Sequence, residues 1–426
     1  MRPRMSGAAI GKYLLLVAFL ALFAGWLYWK NSYGAIGRVA KLDSSTAGYI
    51  AFVRTDESGA SNLCIVKDDG SDLKALTNND LPKRMPCWSP DGTRLVYAQE
   101  TRSEGTASYQ LFVLGQGTPK QATYGSLSKD MPLWSPDGKR IAYLAGGAVK
   151  VVTPNGAETE QIYPRPAKGN SPVTEGQAPP EEVDGLKRPP ITWYRWAPVG
   201  GALAGVQVLE GENAAAIGSA NWWGKTSKND GEEVVGVVEP ESIIVLPHLE
   251  AEPVRLPGAE KVGFGWYPDG RRMVVALQTR KGRHALVIFR TDEKDLPVTP
   301  ILSADAHTVA VENPVVSPDG RQIAGELWRV QNNGDRLPLG LVLLPAEPDR
   351  PVVVKGAADI ESLKVLTKGD ARQPQWSPDG AKMLYTMVGA TGRTDIWVVN
   401  SDGTGTVSLT KGKGDNTDPV WSPARR

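Results

Sequence analysis

The chain contains 426 residues, of which 48 are basic and 47 are acidic, so its formal net charge is +1. A balance this even argues against a nucleic-acid-binding protein, in which a basic excess or a basic patch is usual. The 46 glycines, 33 prolines and 13 tryptophans are typical of many short strands joined by tight turns.

The N-terminal segment is apolar. Residues 13–29 (YLLLVAFLALFAGWLYW) carry no charge and no proline. As a helix they would span about 25 Å, close to the roughly 30 Å of a hydrocarbon core, and aromatic residues cluster at their far end as in an interfacial belt. The sequence therefore predicts a short cytoplasmic tail over 1–12, an uncleaved transmembrane anchor over 13–29 and a linker over 30–45. A cleaved signal peptide and a propeller in the cytoplasm remain open as alternatives.

Two cysteines, Cys64 and Cys87, are the only ones in the chain. A location outside the cytoplasm would permit a disulfide between them. Both lie in apolar runs with strand character, LCIV and PCWS, so we predict two buried thiols instead.

A motif of the form W-S-P-D-G recurs through the rest of the chain at intervals of about 45 to 70 residues. Its proline occurs at Pro90, Pro136, Pro198, Pro268, Pro318, Pro378 and Pro423. The letters SPDG describe a β-turn, because proline presets φ at the second position and glycine accepts a left-handed fourth position. Apolar, alternating runs follow the turn, so each unit is predicted to contain four antiparallel strands, named A to D in chain order. Strand A is the P-x-W-S segment, and strand D is the outer strand.

One tryptophan per unit stands at a fixed place beside the turn. These residues are Trp88, Trp134, Trp196, Trp266, Trp376 and Trp421, and the fifth unit has Val316 instead. A large flat ring can fill the gap between two twisted sheets that pack face to face. We therefore predict a structural role for these tryptophans and not a role as surface platforms for a ligand.

The last unit, DPVWSPARR, contains a strand A and then ends. The segments 48–54, 62–68 and 73–77 have the character of strands B, C and D, and no W-S-P-D-G precedes them. We expect the two ends of the chain to share one blade, which closes the ring and hides two sheet edges. The predicted fold is an all-β, seven-bladed β-propeller over residues 46–426, closed by its N- and C-terminal strands and preceded by one transmembrane helix.

The repeat resembles that of the TolB-like β-propeller family, a WD-like repeat with the pattern PxWSPDGxxIaY. The likeness covers roughly residues 46–426, and five units carry the full P-D-G turn. The resemblance implies a propeller fold that serves as a binding platform, as a domain attached to peptidases or, occasionally, as a lyase. TolB itself has six blades and a separate N-terminal domain, whereas this sequence has seven motif units and an apolar segment. The unit YRWAPVGGALAGV departs most from the pattern.

Loop lengths differ between the two faces of the predicted disc. Antiparallel order places the A–B and C–D loops on one face, here called the turn face, and the B–C and D–A loops on the other, the long-loop face. The long-loop face also carries two insertions, at about 164–190 and 209–242. Variation concentrated on one face predicts that this face carries the function.

The candidate binding residues lie on the long-loop face. Arg84, Asp130, Glu312 and Arg372 each occur four residues before the motif tryptophan or its replacement, and we predict that they ring the channel mouth and hold a polar ligand. The alternative is a solvated rim of compensating charges.

The two insertions supply further candidates. Trp222 and Trp223 lie in the second one and would anchor a partner, stack on a sugar or fold the insertion onto the disc. The proline-rich segment 164–190 is either a docking strip or a plain surface loop.

Catalytic and metal signatures are missing. The three histidines, His248, His284 and His307, are not at ligand spacing, and the sequence contains no G-x-S-x-G and no glycine-rich phosphate loop. The sequence therefore predicts no cofactor and no enzyme. It predicts a membrane-anchored, extracytoplasmic scaffold that binds a protein or a cell-envelope component. The alternative is a propeller lyase or hydrolase that acts on a polysaccharide or peptide at the channel mouth.

Overall fold

The computed structural model describes residues 42, 48–103, 105–163, 182–183, 186–187, 191–208, 241–246, 254–259, 263–278, 282–291 and 298–423. The predicted anchor, most of both insertions and the pair Trp222 and Trp223 lie outside these residues. Within the described ranges no helix is both long enough and apolar enough to cross a bilayer.

The described strands form seven sheets of four or five strands and one two-stranded hairpin. Sheet 1 begins with β1 (Tyr49–Thr55), β2 (Ser61–Lys67) and β3 (Lys74–Ala75). Sheet 2 contains β4 (Lys83–Trp88), β5 (Leu95–Ser103), β6 (Thr106–Leu114) and β7 (Lys120–Gln121). Sheet 3 contains β8 (Asp130–Trp134), β9 (Ile141–Ala145), β10 (Ala148–Val152) and β11 (Thr159–Tyr163). The hairpin consists of β12 (Glu182–Val183) and β13 (Leu186–Lys187).

The second half of the chain continues the pattern. Sheet 4 contains β14 (Ile191–Trp196), β15 (Leu203–Val208), β16 (Glu241–Leu246) and β17 (Val254–Ala259). Sheet 5 contains β18 (Phe264–Trp266), β19 (Arg272–Gln278), β20 (His284–Arg290) and β21 (Val298–Ala304). Sheet 6 contains β22 (Val309–Val316), β23 (Gln322–Val330), β24 (Arg336–Pro345) and β26 (Lys364–Lys368). Between β24 and β26 the chain forms strand β25 (Val352–Val354) and helix α1 (Ala357–Ser362). Sheet 7 contains β27 (Ala371–Trp376), β28 (Lys382–Val388), β29 (Thr394–Asn400) and β30 (Val407–Ser408), and the last strand is β31 (Asp415–Trp421).

Consecutive strands are neighbours in each sheet, so the four-stranded repeat expected from the sequence is present. The strand that carries the motif tryptophan begins each unit, and it lies at one edge of its sheet. Strand β25 is an exception to the simple order, because it leaves sheet 6 and pairs in parallel with β21 of sheet 5. This crossing covers the outer edge of sheet 5 with a strand from its neighbour.

The two ends of the chain share sheet 1, as predicted. Strand β31 pairs antiparallel with β1, with Trp421 opposite Ile50 and Asp415 opposite Thr55. Beyond the pair, the Ser422 N–H donates to the Tyr49 carbonyl at 2.8 Å. A Cβ placed on the turn glycine Gly92 of sheet 2 would lie 3.8 Å from the Pro423 ring. The last W-S-P therefore lies beside the turn of the next unit.

The sheets pack on one another around a closed ring. Seven separate clusters of buried apolar side chains fill the gaps between consecutive sheets, and each cluster draws residues from two sheets. The cluster between sheets 7 and 1 joins Leu384 and Val398 to Phe52 and Trp421. Every sheet thus buries both faces, as a propeller requires.

The motif tryptophans link neighbouring sheets by a repeated hydrogen bond. In four of them the indole N–H donates to a carbonyl of the preceding sheet at 3.2–3.4 Å: Trp88 to Val420, Trp196 to Leu133, Trp376 to Val315 and Trp421 to Gln375. Each acceptor is the residue just before the motif position of its own sheet. Each indole ring therefore fills the gap between two sheets, and its N–H bond fixes the relative height of those sheets.

The SPDG segments form the predicted turns. In sheet 2 the Gly92 N–H donates to the Ser89 carbonyl at 2.8 Å, and Gly92 has φ +68°. The Asp91 carboxylate accepts the Thr93 N–H at 3.1 Å. Four further turns repeat the same bond between their glycine and the residue three before it.

Both cysteines are free thiols. Cys64 is buried and Cys87 half-buried, and burial raises the pKa of each thiol to about 11. Thiols held protonated in this way are poor nucleophiles.

We predict that Gly265→Ala destabilises the ring by about 1–3 kcal/mol, because the added methyl group has no room. A Cβ on Gly265 in β18 would collide with the carbonyl oxygen of Pro314 in the next sheet and would lie 3.2 Å from its carbonyl carbon. Denaturant unfolding measures the change. Gly117→Ala is the matched control, since a Cβ there meets nothing within 4 Å; equal effects of the two substitutions would contradict the prediction.

A second prediction concerns acid sensitivity. His284 is 6% exposed, and its Nε2 is buried with no partner among the described residues. Burial first, and the charge of Arg336 second, lower the pKa of His284 from 6.5 to about 4. The folded state then binds a proton less tightly than the unfolded chain, so stability is lost as pH falls from 6.5 to 4, by up to about 3 kcal/mol.

Thermal unfolding at pH 7, 5.5 and 4 tests this assignment. His284→Phe is expected to reduce the acid-induced loss of stability relative to the parent protein, because the variant has no imidazole to protonate. His307→Asn removes an exposed histidine and serves as the control. The prediction is wrong if His284→Phe and the parent lose the same stability over this range.

Candidate functional site

The innermost strands surround a central channel with a cavity of about 570 Å³. Its lining residues belong to β4, β8, β14, β22, β27 and β31, which come from six different sheets. Strand β18 of sheet 5 contributes none. A cavity of this size lies within the usual range for ligand sites.

A ring of backbone bulges shapes this channel. Five lining or adjacent residues have a left-handed backbone, with φ between +46° and +55°, and each directly precedes a proline: Met85, Met131, Asn313, Gln373 and Asp418. The strand pairing shifts register at each of these places. A left-handed conformation costs a non-glycine residue roughly 1–2 kcal/mol. Bulges of this kind redirect side chains, here toward the channel.

Buried acceptors hold the bulges across the gaps between sheets. The Asp418 carboxylate accepts the Met85 N–H at 3.0 Å. The Glu326 carboxylate accepts the Gln373 N–H at 2.8 Å and an amide N–H of Asn313 at 3.0 Å. The bonds from the Met85 and Gln373 N–H groups join the irregular backbone of one sheet to a carboxylate of the preceding sheet, whereas the bond from the Asn313 amide lies within sheet 6.

The position of the two carboxylates disfavours their ionised forms. Burial raises the pKa of Glu326, and the hydrogen bonds from Gln373 and Asn313 oppose that shift in part. Burial also raises the pKa of Asp418, and the hydrogen bond from the Met85 N–H opposes that rise. Raised carboxyl pKa values are frequent both at functional sites and in structural networks.

Sheet 4 departs from the bulge pattern. Its inner strand reads ITWYRW, in which Tyr194 takes the place of the proline. The Tyr194 hydroxyl donates to the Met131 carbonyl of sheet 3 at 2.6 Å. The ring of Trp193 packs edge-on against Phe264 with centroids 4.5 Å apart.

Arg195 follows in the same strand and lines the cavity. Its guanidinium carbon lies 5.1 Å from the centroid of the Trp193 ring. Within the part of the chain that the structure describes, it makes no hydrogen bond and no ion pair. Burial lowers the pKa of Arg195. It is therefore a half-buried cation without a counter-charge among those residues.

The charged residues predicted for the channel mouth are already paired. Arg84 forms an ion pair with Asp130 of the next sheet, and its guanidinium lies 3.6 Å from the Tyr109 ring centroid. Glu312 pairs with Arg336. Arg372 makes two bonds to Asp370, at 2.5 and 3.0 Å.

None of the four predicted charged residues lines the cavity itself. Both readings from the sequence, a ligand-binding ring and a solvated rim of compensating charges, therefore stay predictions. Trp222 and Trp223 lie outside the described residues, so their roles remain predictions.

Sequence reasoning missed Arg195 and the five bulges. A signal for the bulges was present, because the dipeptides MP, MP, QP and DP precede four of the motif tryptophans and NP precedes Val316. The signal for Arg195 was the poor fit of its unit to the repeat. No group of three or more His, Cys, Asp or Glu side chains that could hold a metal ion occurs in the described ranges.

Comparisons with known proteins were made at three levels. No protein-family model and no curated protein matches the sequence. Among solved structures, TolB from Acinetobacter baumannii is similar at 15% identity with a TM-score of 0.45, over 90% of this chain and 68% of that one. The β-propeller domain of the trilobed protease from Pyrococcus furiosus is similar at 13% identity with a TM-score of 0.49, over 88% and 98%.

A third similar structure is an acylaminoacyl peptidase from Pyrococcus horikoshii, at 12% identity with a TM-score of 0.46, over 77% of this chain and 45% of that one. The propeller assignment itself rests on the strand order and on the packing of the sheets around a ring.

We predict that Glu326→Ala destabilises the protein by about 1–3 kcal/mol, since two part-buried donors lose their buried acceptor. Glu326→Gln keeps an acceptor oxygen and is the matched control. The pKa of Glu326 is raised in the folded state, so the folded protein binds this proton more tightly than the unfolded chain does. Protonation of Glu326 therefore stabilises the fold at low pH, and this stabilisation is lost as the pH rises through the folded-state pKa. Glu326→Gln should therefore equal or exceed the parent in stability at pH 7. A Gln variant as unstable as the Ala variant at pH 7 would contradict this.

Proposed function

We propose that this chain is a seven-bladed β-propeller that a helix over residues 13–29 anchors in a membrane, with the propeller on the extracytoplasmic side. It acts as a scaffold that binds a protein or another cell-envelope component. Binding uses the long-loop face and the channel mouth. The observation that carries the proposal is the 570 Å³ channel, at which strained backbone and an uncompensated cation are concentrated.

The concentration of strain supports a binding role. Five left-handed residues lie around one cavity. The bulges also relieve crowding where the inner strands converge, so what supports binding is that all five lie around the same cavity. Strained backbone persists where surrounding structure holds it, and it clusters at ligand sites.

More of the large exposed apolar side chains among the described residues lie on the long-loop face than on the turn face, which carries Val199 in an A–B loop. Leu81 and Tyr124, which are 38% and 61% exposed, lie in D–A loops. Leu337, 49% exposed, lies at the start of β24 beside a B–C loop. Exposed apolar and aromatic groups of this kind are enriched at protein interfaces.

The paired rim charges fit a role in orientation. Arg84, Asp130, Glu312 and Arg372 are half-exposed ion pairs. Such pairs contribute little to stability, but they present an ordered pattern of charge that favours one docking direction and rejects like charges.

A propeller hydrolase or lyase is the second candidate function. The observation in its favour is Asp418, a cavity-lining carboxyl whose pKa burial raises. Turnover of uronate oligomers or peptides that Asp418→Asn abolishes would favour this candidate over the scaffold.

Site-specific photocrosslinking in intact cells tests the scaffold proposal. A photoreactive residue in place of Tyr124 or Leu337 is expected to capture one defined partner. The same residue in place of Glu158, an exposed position on the turn face, is the control and should capture nothing comparable. Arg84→Glu should reduce capture at Tyr124, because it reverses one charge of the rim.

Equal capture from the turn face would contradict the proposed binding face. Unchanged capture in Arg84→Glu would show that the rim charges are not part of the proposed binding face.

A further inference from the structure

We infer that Arg195 is the receptor in the central channel for a carboxylate group of the bound ligand or partner. The inference rests on the proposed function in one respect, which is that the channel is where binding occurs. It adds the chemical class of the ligand that the channel binds and the residue that binds this ligand.

The environment of Arg195 differs from that of the other arginines near the axis. Arg84, Arg336 and Arg372 each pair with a carboxylate of the chain. Arg195 lines the same channel and has only the face of Trp193 as a neighbour with which it interacts, among the residues that the structure describes. A half-buried guanidinium has lost part of its hydration and has no counter-ion among the described residues, so the position favours an anion from outside the chain.

The stacking on Trp193 prepares the guanidinium for a planar anion. One face of the group lies over the indole ring, and Trp193 is itself held by its edge contact with Phe264. The N–H edge carries no hydrogen bond to the described residues. A guanidinium with a fixed plane and free N–H groups binds a carboxylate through two parallel hydrogen bonds.

The rest of the lining favours a carboxylate over a phosphate. Arg195 and Asp418 are the two charged residues that line the cavity, and they belong to sheets 4 and 1, on different sides of the ring. Ionised Asp418 would repel a dianion more strongly than a monoanion, and among the described lining residues no second cation compensates for that repulsion. A single carboxylate neutralises Arg195 at a smaller electrostatic cost.

The uncharged lining suits the body of such a ligand. Met85, Met131 and Pro374 offer apolar contacts, and Asn313 and Gln373 offer amides. A ligand with an apolar body and one carboxylate would match both parts. An extended peptide end with a free carboxylate, or an acidic side chain, has this composition.

The test uses 4-fluorobenzoate as the probe, with the full-length protein in detergent and binding followed by ¹⁹F NMR line broadening. The neutral probe 4-fluorobenzamide has nearly the same shape. The variants are Arg195→Gln, Arg195→Lys and, as the matched control, Arg140→Gln, which removes an exposed arginine paired with Glu160 far from the channel. Circular dichroism and thermal unfolding verify that each variant is folded.

The parent protein and Arg140→Gln are expected to bind 4-fluorobenzoate, and Arg195→Gln to bind it at least tenfold more weakly, the loss expected for a charge-assisted bidentate pair. Arg195→Lys should fall between them, because it retains the charge and loses the planar fork. The neutral amide should bind at least tenfold more weakly than the acid to the parent protein.

Three results would overturn the inference: no binding of the acid by the parent protein, equal binding by the parent and Arg195→Gln, or equal binding of acid and amide. Inorganic phosphate that displaces the probe at lower concentration than acetate would overturn the assignment to carboxylates. These probes need no protein partner, so failure here leaves the crosslinking result intact, and failure of crosslinking leaves this one intact.

Discussion

The pairing of β31 with β1 is the interaction on which the rest of the ring depends. Each sheet is apolar on both faces and has no stable arrangement unless a neighbour covers each of them. The cluster between sheets 7 and 1 exists only because the chain ends meet in one sheet. Closure therefore fixes the last interface, and through it the position of every inner strand and the width of the channel.

Inner strands must satisfy two demands that conflict. They have to pair with strand B on one side, and they converge with other inner strands at the axis, where there is less room. The bulges before proline relieve this crowding by taking one residue out of the ladder. The freed N–H groups of Met85 and Gln373 then need acceptors, and the carboxylates of Asp418 and Glu326 supply them from the neighbouring sheets. Polar groups at the axis are thus a consequence of the packing as much as of any ligand.

Much of the fold could be predicted because its signals are local and repeated. The turn at Ser89–Gly92, the burial of Trp376 and the completion of sheet 1 by β31 all follow from short sequence patterns. The crossing of β25 to sheet 5 could not be predicted, since three valines carry no information on which edge they join. The candidate site was harder to predict than the fold. Position along the strand put Arg84 and Asp130 in one predicted ring, but whether such charges pair with each other depends on distances between sheets, which sequence spacing does not contain.

Sheet 4 shows why departures from a repeat are informative about function. In sheets held by the bulge, the residue before the motif tryptophan, or before Val316 in sheet 6, is neutral: Cys87, Leu133, Val315, Gln375 and Val420. Only where Tyr194 replaces proline and bonds to the Met131 carbonyl does an arginine occupy that position. The tyrosine takes over the structural task of joining adjacent sheets, which leaves Arg195 without a role in packing or pairing. A partly desolvated charge without a partner is unfavourable, so a half-buried cation at a position that the ring fills elsewhere with neutral side chains is best explained by what the channel binds.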